Sequence, residues 1–157
     1  MRQWLMDFFT NPYLITALSS WLIAQVMKFV IHMIVNREFD ITRIYGDGGM
    51  PSGHSATVTS LAMISALYHG LGSFQFAVTF VLAIIVCHDA MGVRRETGKQ
   101  AVLLNELVRA FEELSADTDK LPEVKLKEFV GHTPVQVTAG ILLGIVTACG
   151  MYFFIFA

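Results

Sequence analysis

Two histidines of this sequence stand where the spacing of glycine and proline predicts the start of a helix. His54 lies in the stretch GDGGMPSGHS at residues 46–55, and His132 lies in GHTP at residues 131–134. Proline suits the first turn of a helix, and a helix N-terminus favours a bound anion. Two imidazoles beside a phosphate can transfer a phosphoryl group, one as the nucleophile and the other as the proton donor.

Charged residues are expected to gather around the same anion. The third apolar segment ends on His88, Asp89, Arg94 and Arg95, and Lys28 lies inside the first. Arginine and lysine bind phosphate oxygens, a charged residue within a membrane segment is usually functional, and a lysine side chain can snorkel toward the nearer surface. The alternatives are that the arginines only determine topology and that Asp89 pairs with Arg94.

Composition indicates a membrane protein. Of the 157 residues, 54% are hydrophobic and only 15% are charged, whereas soluble domains carry about 25% charged residues. The net charge of -2 does not indicate the basic surface that nucleic-acid-binding proteins carry. A soluble bundle with buried helices is the alternative, and it is disfavoured because the last apolar segment has no polar face.

Four apolar segments predict the architecture. A bilayer crossing needs about 20 apolar residues, which gives transmembrane helices at about 12–35, 52–69, 73–92 and 133–156. The second is the weakest candidate because it is rich in serine and threonine. We therefore expect an all-α, integral-membrane helical bundle of about four transmembrane helices, forming a single domain over residues 1–157.

The basic residues predict which side of the membrane each loop faces. Four crossings put the loops 36–51 and 93–132 on one side. These loops hold nine basic residues, and the opposite side holds only Arg2. The positive-inside rule places both loops in the cytoplasm. The nine residues are Arg37, Arg43, Arg94, Arg95, Lys99, Arg109, Lys120, Lys125 and Lys127.

The longer loop is expected to contain a helix of its own. From Lys99 to Leu114, apolar residues recur at helical spacing and Glu106, Arg109, Glu112 and Glu113 supply a polar side. This amphipathic cytoplasmic helix could lie on the membrane surface or cover the bundle.

Taken together, the motifs resemble a divergent branch of the type 2 phosphatidic acid phosphatase superfamily, which also contains the vanadium-dependent haloperoxidases. The stretch 50–55, MPSGHS, resembles the middle motif of the superfamily, and 131–140, GHTPVQVTAG, resembles its last motif. The pattern of the branch also includes Asp89-Ala90, Gly92-Val93-Arg94-Arg95, Gly98-Lys99-Gln100-Ala101 and Leu104-Asn105.

The resemblance implies a role for each site residue. His132 would attack phosphorus and His54 would protonate the leaving oxygen. Ser52 and the Gly53 amide would bind phosphate oxygens, and Lys28 resembles the lysine of the first motif. Lys99 and Lys127, with Arg94 and Arg95, are the other expected substrate ligands, and no metal ion or other cofactor is implied.

Two positions depart from the usual last motif. The arginine expected six residues before the histidine is Leu126, so Lys127, Arg94 or Arg95 must supply that charge. The carboxylate expected four residues after the histidine is Gln136. An amide oxygen can orient an imidazole, but it stabilises an imidazolium less well than a carboxylate does. Asp89 could take over that role.

The leading hypothesis is a lipid-phosphate phosphatase of the bacterial inner (plasma) membrane, with its site facing the cytoplasm. Its substrate would be a phospholipid precursor of the inner leaflet, with phosphatidylglycerophosphate as the best guess. Gly140 and Gly144 permit close helix packing within one chain or in a homodimer. The alternatives are a non-catalytic membrane protein that binds or scaffolds, and a proton or ion pathway through His88, Asp89 and Lys28.

Overall fold

The computed structural model describes residues 2–37, 49–114, 126 and 131–156, and within these ranges all regular structure is helical. The predicted all-α fold is therefore confirmed. In chain order the elements are α1 (Arg2–Phe9), α2 (Pro12–Asn36), α3 (Gly53–His69), α4 (Phe74–Met91), α5 (Val93–Leu114) and α6 (Pro134–Met151), the last of which continues as a π-helical turn over Tyr152–Phe156.

Capping residues explain where the helices begin. Asn11 accepts hydrogen bonds from the backbone N–H groups of the first turn of α2, and Pro12 opens that helix. Serines cap α3 and α4, and a threonine caps α6. Short side-chain acceptors of this kind satisfy N–H groups that have no partner within the helix. These signals lie in the sequence, so the predicted bounds of the four apolar helices match the observed ones closely.

The outer surface of the bundle is apolar and its interior is small and polar. Three helical stretches of the described chain are long and apolar enough to cross a membrane, namely Pro12–Val35, Phe74–Phe111 and Pro134–Phe156. Large apolar side chains on them are exposed, such as Leu22, Val81 and Val146. The buried positions are instead mostly alanines, serines and threonines. Small residues at helix interfaces and large ones facing outward are typical of membrane bundles.

The predicted second crossing, α3, is the central helix of this bundle. It is 17 residues long and buries eight of them, and it packs against α2, α4 and α6. Because its neighbours cover it, α3 has little need for lipid-facing hydrophobic residues. Its weak apolar signal therefore reflects its central position.

The glycine pair of α6 brings that helix close to α3. A Cβ atom built at Gly140 would lie 2.5 Å from the Ser52 carbonyl oxygen, and one at Gly144 would lie 2.6 Å from the Ala56 carbonyl oxygen. Real Cβ atoms essentially never come that close. Of the two alternatives left open by the sequence, Gly140 and Gly144 thus serve packing within one chain.

The amphipathic helix α5 starts earlier than predicted. It begins at Val93, immediately after the break at Gly92, whereas the apolar spacing indicated a start near Lys99. Its apolar side chains are largely exposed, including Leu103, Leu107 and Phe111. Since the bundle leaves this apolar face uncovered, α5 is placed as a surface helix and does not cover the core.

Candidate active site

The two histidines singled out in the sequence meet at one end of the bundle. His54 lies in the first turn of α3, and His132 directly precedes the cap of α6. Their ring centroids are 5.8 Å apart, with 61° between the ring planes. His132 is 1% exposed, whereas His54 is half-buried. The fold thus brings together two residues that are 78 positions apart in the chain. Their places at two helix starts on the same side of the predicted bundle had indicated that they would converge.

Backbone hydrogen bonds fix three helix ends around this pair. The N–H of His132 donates to the carbonyl of Ala90 near the end of α4 at 2.9 Å, and the N–H of Ser52 donates to the carbonyl of Gln136 in α6, also at 2.9 Å. Gly131 has a φ of +98°, a conformation that favours glycine. The position of His132 is therefore set by main-chain contacts on both sides of it.

Gln136 holds the His132 ring in one tautomer. Its Oε1 accepts a hydrogen bond from the Thr133 backbone N–H at 2.9 Å, and the same oxygen lies 3.3 Å from His132 Nδ1. Because a backbone N–H can only donate, the atom that faces it must be the amide oxygen, which settles the side-chain orientation. Nδ1 must then carry the proton, and the lone pair of the neutral ring lies on Nε2.

Gln136 also shapes the start of α6. The Thr133 side chain accepts from the Gln136 N–H at 3.3 Å, and together with the return bond to the Thr133 N–H this forms a capping box. The residue that departs from the usual carboxylate thus both caps the helix and orients the histidine.

Lys28 reaches the same end of the bundle from α2. Its side chain passes Gly49, and its Nζ lies 3.7 Å from the position that a Cβ atom of Gly53 would occupy. The side chain therefore extends toward the end of the bundle that the sequence indicated, and it is only 6% exposed there. The ammonium group ends beside the first residue of α3, where the helix dipole is also positive. Two positive fields that converge in this way favour an anion.

Ser52, expected to bind phosphate, is buried and caps α3. Its Oγ accepts hydrogen bonds from the Ser55 N–H at 3.4 Å and from the Ser55 hydroxyl at 3.1 Å. Gly53 is buried as well. Both residues lie at the helix end that Lys28 approaches, and their role as phosphate ligands stays a prediction.

The remaining predicted cations are only partly described. Lys99 is exposed and forms an ion pair with Glu96 at 2.6 Å, one turn away on α5. Arg94 and Arg95 belong to the first turn of α5, and their side chains lie outside the described part of the structure. Lys127 lies outside the described residues altogether. Their contribution to binding stays a prediction.

Asp89 is half-buried and lies next to Ala90, whose carbonyl accepts the His132 N–H. This neighbourhood is compatible with its expected role beside His132. His88, one residue earlier, is exposed.

One contact between α5 and the chain that leads to His132 was not predicted from the sequence. The Asn105 side chain donates from Nδ2 to the Leu126 carbonyl at 3.0 Å and accepts at Oδ1 from the Leu126 N–H at 3.1 Å. This pair of bonds attaches α5 to the chain six residues before His132. Asn105 belonged to a quoted motif of the branch, and that motif was the signal that could have indicated its importance.

Two comparisons with known proteins found a match. The profile of the Divergent PAP2 family matches residues 9–147. A relative from Bacillus subtilis (strain 168), described as "Uncharacterized membrane protein YuiD", is 42% identical over 157 residues, which cover 95% of this chain and 99% of the relative. No solved structure matches the chain.

Proposed function

The chain belongs to the Divergent PAP2 family and is a membrane protein, and we propose that it is a lipid-phosphate phosphatase that works through a phosphohistidine intermediate. The observation that carries the proposal is the approach of the His54 and His132 rings to 5.8 Å. The family resemblance assigns the nucleophile to His132 and the acid to His54, and the whole chain, 1–157, would form one phosphatase-like domain.

In the first step the lone pair of His132 Nε2 forms a bond to phosphorus. The bond between phosphorus and the lipid oxygen breaks, and His54, protonated at the start, gives its proton to that oxygen. The lipid leaves as an alcohol, and the phosphoryl group stays on the ring. The tautomer that Gln136 selects is the one this step needs, because it leaves Nε2 unprotonated.

In the second step water attacks phosphorus and His54 accepts a proton from the water. The phosphorus–nitrogen bond then breaks, which releases inorganic phosphate and restores both histidines. His132 is 1% exposed, so a phosphate reaches its ring only after the surrounding side chains move. The half-buried His54 is the natural candidate for such a movement.

The phosphate oxygens would lie between Lys28 and the start of α3. The Lys28 ammonium group and the positive end of the helix dipole both favour the anion, and the first N–H groups of a helix are available to a ligand. The side chains of Asp89, Arg94 and Arg95 would complete the site from the junction of α4 and α5.

The substrate would be a phospholipid phosphomonoester that reaches the site from the membrane. The charge distribution of the loops favours a cytoplasmic site in a bacterial inner membrane, and hence a lipid of the inner leaflet. Within that class, the proposed substrate is phosphatidylglycerophosphate. A cysteine introduced at Ser115 should be labelled only after the membrane is permeabilised, and labelling from outside intact cells would refute both the orientation and the substrate class.

A second candidate is a non-catalytic membrane protein that kept the fold for binding or scaffolding. Two observations favour it. Leu126 stands where the superfamily has an arginine, and Gln136 is already engaged by the capping box of α6. A homodimer would have to use a surface other than Gly140 and Gly144, since both face α3.

Phosphate release by purified protein distinguishes the two candidates. A panel of lipid phosphates would be assayed in detergent, with and without a chelator, and the His132→Ala variant would be purified in parallel. Release by the wild type and its absence in the variant support the phosphatase. Equal release by both proteins, or none from any lipid, would refute it.

A further inference from the structure

An apolar groove of about 390 Å³ runs along the outside of the bundle between α3, α4 and α6. Its walls carry few polar atoms, and several of its lining residues are alanines. Leu71 and Ile84, which also line it, are more than half exposed, so the groove opens on the surface that faces the lipid. Lining residues important for the argument are Thr59, Ala62, Ala66, Ala83, Cys87 and Ile141.

One end of this groove lies next to the histidine pair. Thr59 follows His54 by five residues on α3, about 7 Å at 1.5 Å per helical residue. Cys87 lies three residues before Ala90, whose carbonyl accepts the His132 N–H, and Ile141 packs against the same small core as Cys87. One end of the groove therefore lies within about two helical turns of the histidine pair along α3 and α4.

The length of the groove matches one hydrocarbon chain. From Cys87 to Phe76, both of which line it, α4 rises about 16 Å. The hydrocarbon core of a bilayer is about 30 Å thick, so the chains of one leaflet extend about 15 Å. A head group at the histidines with its first carbon atoms beside Thr59 would leave the rest of one chain inside the groove.

We propose that this groove binds one acyl chain of the lipid phosphate whose head group lies between His54 and His132. The inference rests on the proposed function and adds the place where one acyl chain of the substrate would bind. Surrounding lipid is as apolar as the groove, so the chain gains no hydrophobic energy by entering it. The groove instead selects acyl chains whose shape fits it, and a chain bound there orients the head group for attack by His132.

Two substitutions test the groove at different depths. Ala83→Phe fills it near the histidines, and Ala66→Phe fills it toward the far end of α3. Ala77→Phe is the matched control, because Ala77 is exposed on α4 and is not among the lining residues. All three would be assayed as purified full-length protein with a soluble short-chain phosphatidic acid and with a long-chain one.

We expect Ala83→Phe to reduce the ratio of long-chain to short-chain kcat/KM on the order of tenfold, because a displaced chain misplaces the head group. Ala66→Phe should affect only the longest chains, and Ala77→Phe should leave the ratio unchanged. Short-chain turnover shows that each variant is folded. A ratio that is equal in all four proteins, or that falls equally in Ala77→Phe, would overturn the proposal.

A binding measurement keeps this test separate from that of catalysis. A non-hydrolysable phosphonate lipid with a photoreactive group in its chain should label α4 near Phe80 and Ile84 in the wild type, and Ala83→Phe should suppress that labelling. Labelling spread evenly over the outer faces of α2 and α4 would overturn the groove assignment. If the wild-type protein hydrolyses no lipid, the proposed phosphatase activity is refuted. The labelling pattern then still tests whether the groove binds an acyl chain.

Discussion

Replacement of Gly140 by alanine should separate the two helices that carry the histidines. The new Cβ atom would lie 2.5 Å from the Ser52 carbonyl oxygen and 3.0 Å from Ser55 Cβ, whereas ordinary contacts begin at 3.4 Å. The backbones of α3 and α6 must therefore move apart locally by up to 0.9 Å (3.4 less 2.5). Overpacking of this kind costs about 1–3 kcal/mol.

Gly150→Ala is the matched control for this change. Gly150 also lies in α6, and a Cβ atom built there meets nothing within 4 Å. Both variants gain up to about 1 kcal/mol of helix propensity over glycine, so that gain cancels when they are compared. Gly140→Ala should be less stable than Gly150→Ala by about 1–3 kcal/mol, or about 2–12 °C in Tm at 2–4 °C per kcal/mol.

Activity should fall together with stability, because His54 lies in the first turn of α3 and His132 precedes α6. A displacement of about 1 Å can reduce turnover as much as 100-fold. Thermal unfolding in detergent and phosphate release would be measured on the same preparations. A Tm of Gly140→Ala equal to or above that of Gly150→Ala, with turnover unchanged, would refute the close packing of α3 on α6.

Three further predictions concern single side chains. His132→Ala should abolish turnover, whereas His54→Ala should lose about 10²–10⁴-fold on a lipid substrate. Nitrophenyl phosphate, whose leaving group needs little protonation, should restore the first step of His54→Ala, seen as a burst of nitrophenol, and should not restore that of His132→Ala; a burst from both variants or from neither would contradict the assignment. Gln136→Glu should keep the capping box and maintain or raise turnover, whereas Gln136→Ala should lower turnover. If both variants lose turnover equally, a side-chain oxygen at position 136 does not have the role assigned to it. Asn105→Ala removes two hydrogen bonds to Leu126, each contributing about 1 kcal/mol, and Asn105→Asp removes one. Protease cleavage near Leu126, followed by mass spectrometry, should therefore be slowest in the wild type, faster in Asn105→Asp and fastest in Asn105→Ala. Equal cleavage rates in the three proteins would contradict the attachment of α5 to Leu126.

The helix ends and the histidine pair could be predicted from the sequence because their signals are local. A capping residue followed by proline marks the start of a helix at Asn11 and Pro12 and again at Thr133 and Pro134. Both histidines lie beside helix-start signals of this kind. The prediction that His54 and His132 lie at the same end of the bundle needed only the number of crossings, which puts both helix starts on one side of the membrane. The approach of their rings to 5.8 Å depends on how α3 packs against α6.

Features that depend on packing could not be predicted in the same way. The central position of α3 is hidden by its serines and threonines, since a helix covered by its neighbours loses the apolar signal by which membrane helices are recognised. The burial of the Lys28 side chain at the end of the bundle depends on how α2 packs against α3, and no local signal in the sequence reveals it. The bonds between Asn105 and the Leu126 backbone join residues 21 positions apart, and no spacing rule predicts such a pair.

The central claim is that a phosphoryl group passes through His132, and trapping it there is the most direct test. In His54→Ala, the water of the second step lacks its base, so the intermediate should accumulate when nitrophenyl phosphate labelled with ³²P drives the first step. The account predicts a phosphoryl group on Nε2 of His132, stable in base and labile in acid, that is absent from His132→Ala. Continued turnover with no label on His132, or label on another residue, would contradict it.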